Sequence, residues 1–245
     1  GGAKLIATPE MTGLLQRKSK LFWQEVKTEA DDPLIPAFSA LARELKVTLL
    51  IGSLAVKTGA ARAANRSFLF GPDGELITTY DKIHLFDVDL GRGDTWKESA
   101  LYDGGERAVL ARTQEANIGL TICYDVRFAS LYRVLAQAGA QIIAVPAAFT
   151  RPTGEAHWEA LLRARAIETG SFIMAPAQVG EHEDGRKTWG QSLIIDPWGC
   201  VLAKAGTDAP AIISAQIDLD DCQTARQKIP AWNLEAPFKP PYITP

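Results

Sequence analysis

The chain has 245 residues, 47% of them hydrophobic, with a formal net charge of -3 and a sequence pI of about 5.7. That length suits one large domain or two small ones, and the apolar content is enough for a sizeable core. The absence of a basic run argues against nucleic acid as the main ligand, and no apolar stretch approaches the ~20 residues of a membrane helix.

In chain order, "KLIATPE" (4–10) reads as a short buried strand ending at Pro9-Glu10. "SKLFWQEVKTEA" (19–30) is predicted helical. After Pro33, Leu34, Phe38, Leu41 and Leu45 fall at helical spacing on one face. "VTLLIGSLAV" (47–56) is a strand rich in branched residues. "SFLFGPDGELITTYDK" is a hairpin about a Gly71-Pro72-Asp73-Gly74 turn. "GRGDTWKESALYDGGE" (91–106) reads as a long polar loop, a length often tied to function.

Strands follow near 107–113 and 117–123, then a helix with Phe128, Leu131, Tyr132 and Leu135 on one face, stopped at Gly139. "QIIAVPAAF" (141–149) is a continuous apolar strand, and 154–170 a helix with Trp158, Leu161 and Leu162 at i, i+3 and i+4. A strand at 172–179, a second hairpin at 191–204, a strand at 211–218 and a short helix before a Pro-rich tail complete the order. Helices alternate with strands but hairpins interrupt, so a mixed, layered α/β domain is expected. The two hairpins, one in each half of the chain, hint at an internal repeat.

Three cysteines, Cys123, Cys200 and Cys222, make no disulfide framework, and a reducing cytoplasm is the expected compartment. No Cys-x-x-Cys or His-x-x-x-His spacing points to a metal. Cys123 ends an apolar strand in "LTICYDVRF", at the edge where α/β proteins bind ligands. A helix starting just after it would favour the thiolate. Read alone, Cys123 is either a core thiol or a nucleophile. Cys200 and Cys222 read as bystanders. None of His84, His157 and His182 sits where a base is poised at a strand end. Glu10, at the end of the first strand, Lys82, after the first hairpin, and Glu98, in the polar loop, are the other candidates. Taken singly, Glu10 reads more readily as a cap or turn residue than as a base, Lys82 as a snorkelling chain and Glu98 as a loop charge.

Together, "LIATPE", "YDKIHLFDVDL", "KES", "GLTICYDVRF", "VPAAFT", "GEAHWEALLRARAIETG" and "DPWG", in this order, resemble the nitrilase superfamily of carbon–nitrogen hydrolases across essentially the whole chain. The branch they look most like contains omega-amidase and deaminated glutathione amidase. The resemblance implies a four-layer αββα sandwich in one domain, residues 1–245, that lacks an N-terminal strand and helix common in the family. It also implies a catalytic triad of Cys123, Glu10 and Lys82.

Amide hydrolysis needs these residue types. A thiol carries the acyl group, a carboxylate moves the proton, and a fixed cation with the backbone N–H of Tyr124 stabilises the oxyanion. Glu98 is expected to orient Lys82 or the substrate, and Phe149 and Thr150, with the 91–106 loop, to line the pocket. Asp125 and Arg127 are expected as structural ion pairs. No cofactor is implied, and a homodimer or larger homo-oligomer is. The implied reaction is hydrolysis of a small linear amide that bears a carboxylate, with ammonia released. An N-carbamoyl amine is the nearest rival substrate, and a non-catalytic module on the same fold the rival class. Nitrile hydrolysis fits less well, because "CYDVRF" replaces the Cys-Trp-Glu pattern. A papain-like protease signature is absent.

Overall fold

The computed structural model describes residues 2–91 and 95–241. Its elements are β1 (Leu5–Ala7), α1 (Ser19–Glu25), α2 (Leu34–Leu45), β2 (Thr48–Lys57), β3 (Ala63–Phe70), β4 (Leu76–Asp81), β5 (Asp87–Asp89), β6 (Thr95–Lys97), β7 (Tyr102–Asp103), β8 (Val109–Arg112) and β9 (Asn117–Leu120). There follow α3 (Ala129–Gln137), β10 (Ile142–Ala144), α4 (Arg151–Thr169), β11 (Phe172–Ala175), β12 (Val179–Glu181), β13 (Lys187–Trp189), β14 (Leu193–Ile195), β15 (Val201–Lys204) and α5 (Asp220–Lys228).

Two sheets form the centre. One has the order β1-β2-β3-β4, with β7 also paired to β3, and the other the order β15-β14-β11-β10-β9-β8. The strand period of two explains how the layers stack. On β2, Leu49 and Ile51 point to one face, where Phe68 and Phe70 of β3 join them under Leu34, Ile35 and Phe38 of α2. Leu50 and Leu69, between them in sequence, point the other way into the core shared with Ile118, Leu120, Ile143 and Ile173 of the second sheet. Trp158, Leu162 and Ala166 of α4 close the outer side of that sheet. The result is the helix–sheet–sheet–helix layering that the family resemblance implied. The two predicted hairpins exist, β3–β4 and β14–β15, one in each sheet.

Several expectations are corrected. The buried stripe of α2 runs through Leu34, Ile35, Phe38 and Ala42, whereas Leu41 and Leu45 are exposed. Helix α4 starts at Arg151, three residues before the predicted start at Gly154, because Pro152 is tolerated in a first turn. The segment 172–179 breaks after Ala175, and β12 then pairs with β13 in a further hairpin. Residues 211–218 join no strand ladder among the described residues. Their alternating side chains are partly exposed, and Ile212 is fully so. The 91–106 segment carries β6, a 3-10 turn at Glu98–Ala100, and β7; residues 92–94 of it lie outside the described residues.

Candidate active site

Four chain segments meet where the two sheets abut. Glu10 follows β1, Lys82 follows β4, Glu98 begins the turn after β6, and Cys123 follows β9. Close approach depends on Gly52 of β2. A Cβ there would lie 2.1 Å from the Thr8 carbonyl oxygen, 2.4 Å from that of Pro9 and 2.5 Å from Pro146. Pro9 precedes Glu10, and the Pro146 carbonyl accepts the Cys123 amide at 2.9 Å. A side chain at 52 would therefore push apart the strands that carry the carboxylate and the thiol.

Lys82 is 2% exposed and Glu10 4% exposed. The Lys82 ammonium donates to Glu10 Oε1 at 2.9 Å and to Glu98 at 2.9 and 3.1 Å. Asn65 Nδ2 donates to the same two carboxylates, at 2.8 and 3.1 Å. The Ala148 amide donates to Glu10 Oε2 at 2.8 Å, and the Phe86 amide to Glu98 Oε2 at 2.6 Å. Buried charges persist only when paired and hydrogen-bonded, and each of these is.

Burial alone would raise the Glu10 pKa. The charge and hydrogen bond of Lys82, with bonds from Cys123 and Asn65, outweigh it and hold the carboxyl below its ordinary 4.5. Burial would likewise discharge Lys82, but Glu10 and Glu98 hold its pKa well above the ordinary 10.5. Cys123 moves the opposite way from the sequence expectation. Burial, then the Glu10 charge, push its thiol well above 9.0, and Lys82 only partly offsets this. The expected helix dipole is absent: Cys123 is the first residue of a 3-10 turn, Cys123–Arg127, and α3 begins only at Ala129. The resting pair is thus a neutral thiol beside an ionised carboxylate.

Cys123 has φ 50°, in the left-handed region that costs a non-glycine residue roughly 1–3 kcal/mol. Asp125, fully buried, fixes this elbow. Its carboxylate accepts the Ile122 amide at 2.9 Å, the Tyr80 hydroxyl at 2.6 Å and the His84 amide at 3.0 Å, and pairs with His84 Nδ1 at 2.7 Å. His84 stacks on Phe128 with centroids 3.5 Å apart. Asp125 is therefore engaged by the His84 ring and three other donors, and not by a lysine or arginine, among the described residues. Arg127 is not paired with a carboxylate among the described residues. It meets His157 Nδ1 at 3.2 Å and lies over the Tyr124 and Phe149 rings.

A cavity of about 220 Å³ opens over this cluster. Glu10, Lys82, Glu98, Cys123, Tyr124, Phe149 and Thr150, all singled out in the sequence, line it. So do Trp96, which falls in the 91–106 loop expected to line the pocket, and Arg17 and Arg186, which were not singled out. Sequence reasoning also missed Asn65. The available signal was a polar residue inside the apolar run "AANRSFLF". Cys200 is exposed and Cys222 is on the buried face of α5, both away from the cavity lining.

Residues 1–227 match the family described as carbon-nitrogen hydrolase. The chain belongs to the carbon–nitrogen hydrolase family. A deaminated glutathione amidase from Synechocystis sp. is 40% identical over 234 residues, which span 94% of this chain and 85% of that protein. Human omega-amidase NIT2 is 36% identical over 231 residues, 94% of this chain and 82% of its own length. The Caenorhabditis elegans NitFhit crystal structure superposes with a TM-score of 0.84 and 32% identity, covering 95% of this chain and 57% of that one. The carbon–nitrogen hydrolase is thus an amidase of the nitrilase superfamily, acting on small linear amides through a cysteine nucleophile. Among the described residues, no helix is long and apolar enough to cross a membrane, and no cluster of His, Cys, Asp and Glu could hold a metal ion.

Proposed function

We propose that Cys123 is the nucleophile, Glu10 the general acid–base and Lys82 the oxyanion-stabilising cation of one carbon–nitrogen hydrolase domain. The observation that carries this reading is the meeting of all three, from separate segments, in one buried hydrogen-bonded cluster under a cavity. Glu10 takes the thiol proton as the sulfur adds to the amide carbonyl. A thiol held neutral beside an ionised carboxylate suits removal of the proton during attack. Lys82 faces the oxyanion, with the Tyr124 amide, near the start of the 3-10 turn, as second donor. Glu98 holds the Lys82 ammonium in place.

Collapse of the tetrahedral adduct breaks the C–N bond. Protonated Glu10 gives its proton to the nitrogen, and ammonia leaves. A water molecule, deprotonated by Glu10, then attacks the thioester, releases a carboxylate and restores the thiol.

The substrate is a short linear amide with a carboxylate at its other end, of the ω-amide or deaminated glutathione type. Supporting this are the relatives' activities and the size of the cavity, about 220 Å³, below the ~300–1,000 Å³ common for drug-sized ligands. The protein works in the cytoplasm as a homodimer. Unpaired thiols fit a reducing compartment, and Val134 on α3 and Ile167 on α4, each 52% exposed, fit a helix-mediated contact. Ammonia release from ω-amides, deaminated glutathione and N-carbamoyl amino acids tests the assignment. Turnover of carboxylate-bearing amides is expected, and preference for the carbamoyl compounds would overturn it.

A further inference from the structure

The outer wall of the cavity carries a feature the reaction itself does not use. Two guanidinium groups gather on one indole. The Arg17 guanidinium carbon lies 4.7 Å from the Trp96 ring centroid and that of Arg186 lies 5.0 Å from it. All three residues line the cavity. Arg17 comes from the segment before α1, Trp96 from β6, and Arg186 from the β12–β13 turn, so distant parts of the chain build the cluster.

Asp184 ties them together. Its carboxylate accepts the Arg17 amide and the Arg186 amide, each at 2.9 Å, and lies 3.6 Å from a terminal nitrogen of the Arg186 guanidinium. One carboxylate, already engaged by two backbone donors, thus lies beside the Arg186 guanidinium at the long distance of 3.6 Å. Lys97 adds a further positive charge to the lining. The Arg186 side chain is only 16% exposed, and its Nε, fully buried, has no hydrogen-bond partner among the described residues. A buried donor without an acceptor is unfavourable, and a planar guanidinium matches a carboxylate fork.

The inner wall has the opposite sign. With the thiol neutral, Glu10, Glu98 and Lys82 leave one net negative charge beside Cys123. A carboxylate is repelled there and attracted at the outer wall. The field therefore orients a bifunctional molecule with its neutral amide toward the thiol.

We infer that Arg17 and Arg186, stacked on Trp96, form the subsite that binds the carboxylate of the substrate and selects for amides that bear one. This inference rests on the proposed amidase site. The test separates the two. Binding of glutarate, a linear dicarboxylate that cannot be hydrolysed, is measured by calorimetry on the unaltered protein and on Arg17→Gln and Arg186→Gln. The same proteins are assayed for ammonia release from a carboxylate-bearing ω-amide and from its methyl ester.

Each variant is expected to weaken glutarate binding by about 10- to 100-fold, the scale of a charge-assisted hydrogen bond. Each should lower, by a similar factor, the ratio of kcat/KM for the acid to that for the ester, mainly through KM. Arg186→Lys should recover only part of the loss, because it keeps the charge without the fork. Arg17 is exposed, so its variant folds even if that of Arg186 does not. Glutarate binding that is equal in all proteins, or an unchanged acid-to-ester ratio, would overturn the inference. Failure of the unaltered protein to release ammonia while it binds glutarate through the two arginines would count against the amidase site and leave the subsite standing.

Discussion

Replacing Lys82 by Met removes the cation that, among the described residues, bridges the buried Glu10 carboxylate and the partly buried Glu98 carboxylate. The lost contacts are the bonds to Glu10 at 2.9 Å and to Glu98 at 2.9 and 3.1 Å, made by an ammonium that is 2% exposed. Breaking a buried pair in this way typically costs ~3–5 kcal/mol, because the remaining charge is uncompensated. Here the carboxylates relieve part of the cost by taking up a proton, since Lys82 is what holds Glu10 below its ordinary pKa. The expected loss is thus near the lower end, about 3 kcal/mol at neutral pH, and smaller at pH 5. Adding Glu98→Gln to Lys82→Met removes one of the stranded charges and should restore about half of that stability. It should not restore activity. Loss of the oxyanion cation, with Glu10 no longer poised as a base, predicts turnover reduced by more than ~10³ in both variants. Urea unfolding at both pH values, with ammonia release on the same samples, measures this. A single variant destabilised by less than ~1 kcal/mol, or a double variant with near-normal turnover, would refute the reasoning.

Other outcomes follow from the same geometry. Glu10 titrates below 4.5 in the fold, so its contribution to stability is complete above pH 4.5 and is lost as pH falls through the lowered value. Lys82, raised above 10.5, contributes fully below that pH and loses its contribution as pH rises through the raised value. Accordingly kcat/KM should be flat between about pH 5 and 9; a limb centred near 6.5 would implicate a histidine instead. Asp125→Asn leaves two of the four donors at that carboxylate facing an amide NH2, which predicts a loss of roughly 2–6 kcal/mol in urea melts and a displaced Cys123. Unchanged stability would remove Asp125 as the brace of the elbow. Sedimentation equilibrium should give twice the chain mass, and Val134→Glu should shift it toward monomer; a monomer at all concentrations would discard the homodimer.

Much of the fold was legible because its strands alternate and its turns are spelled out. Leu49, Leu50 and Ile51 sort to opposite faces by parity alone, and Gly74, with φ 80°, closes the first hairpin as its turn sequence requires. What escaped depended on tertiary partners. Residues 211–218 have the composition of a strand but no neighbour to pair with among the described residues. Leu41 and Leu45 have the right spacing, yet packing turns α2 toward Ile35 and Ala42 instead.

At the site, the ordered motifs pointed to Glu10, Lys82, Glu98 and Cys123, all of which line the cavity. Local sequence misjudged the thiol. A strand end before a helix suggests a lowered pKa, but burial, followed by the charge of a carboxylate from a segment over a hundred residues away, raises it. Asp125 was expected as a structural charge but not as the brace of the elbow, and Asn65 and the pairing of Arg17 with Arg186 over Trp96 were out of reach, because these roles consist of contacts between distant segments.

The central claim is that one particular sulfur carries the acyl group. Mixing the protein with a carboxylate-bearing ω-amide, quenching in acid during turnover and mapping the peptides by mass spectrometry tests it directly. An acyl adduct is expected on the peptide that contains Cys123, absent when substrate is omitted, with no ammonia release from a folded Cys123→Ala variant. An adduct on Cys200 or Cys222, or turnover retained by Cys123→Ala, would contradict it.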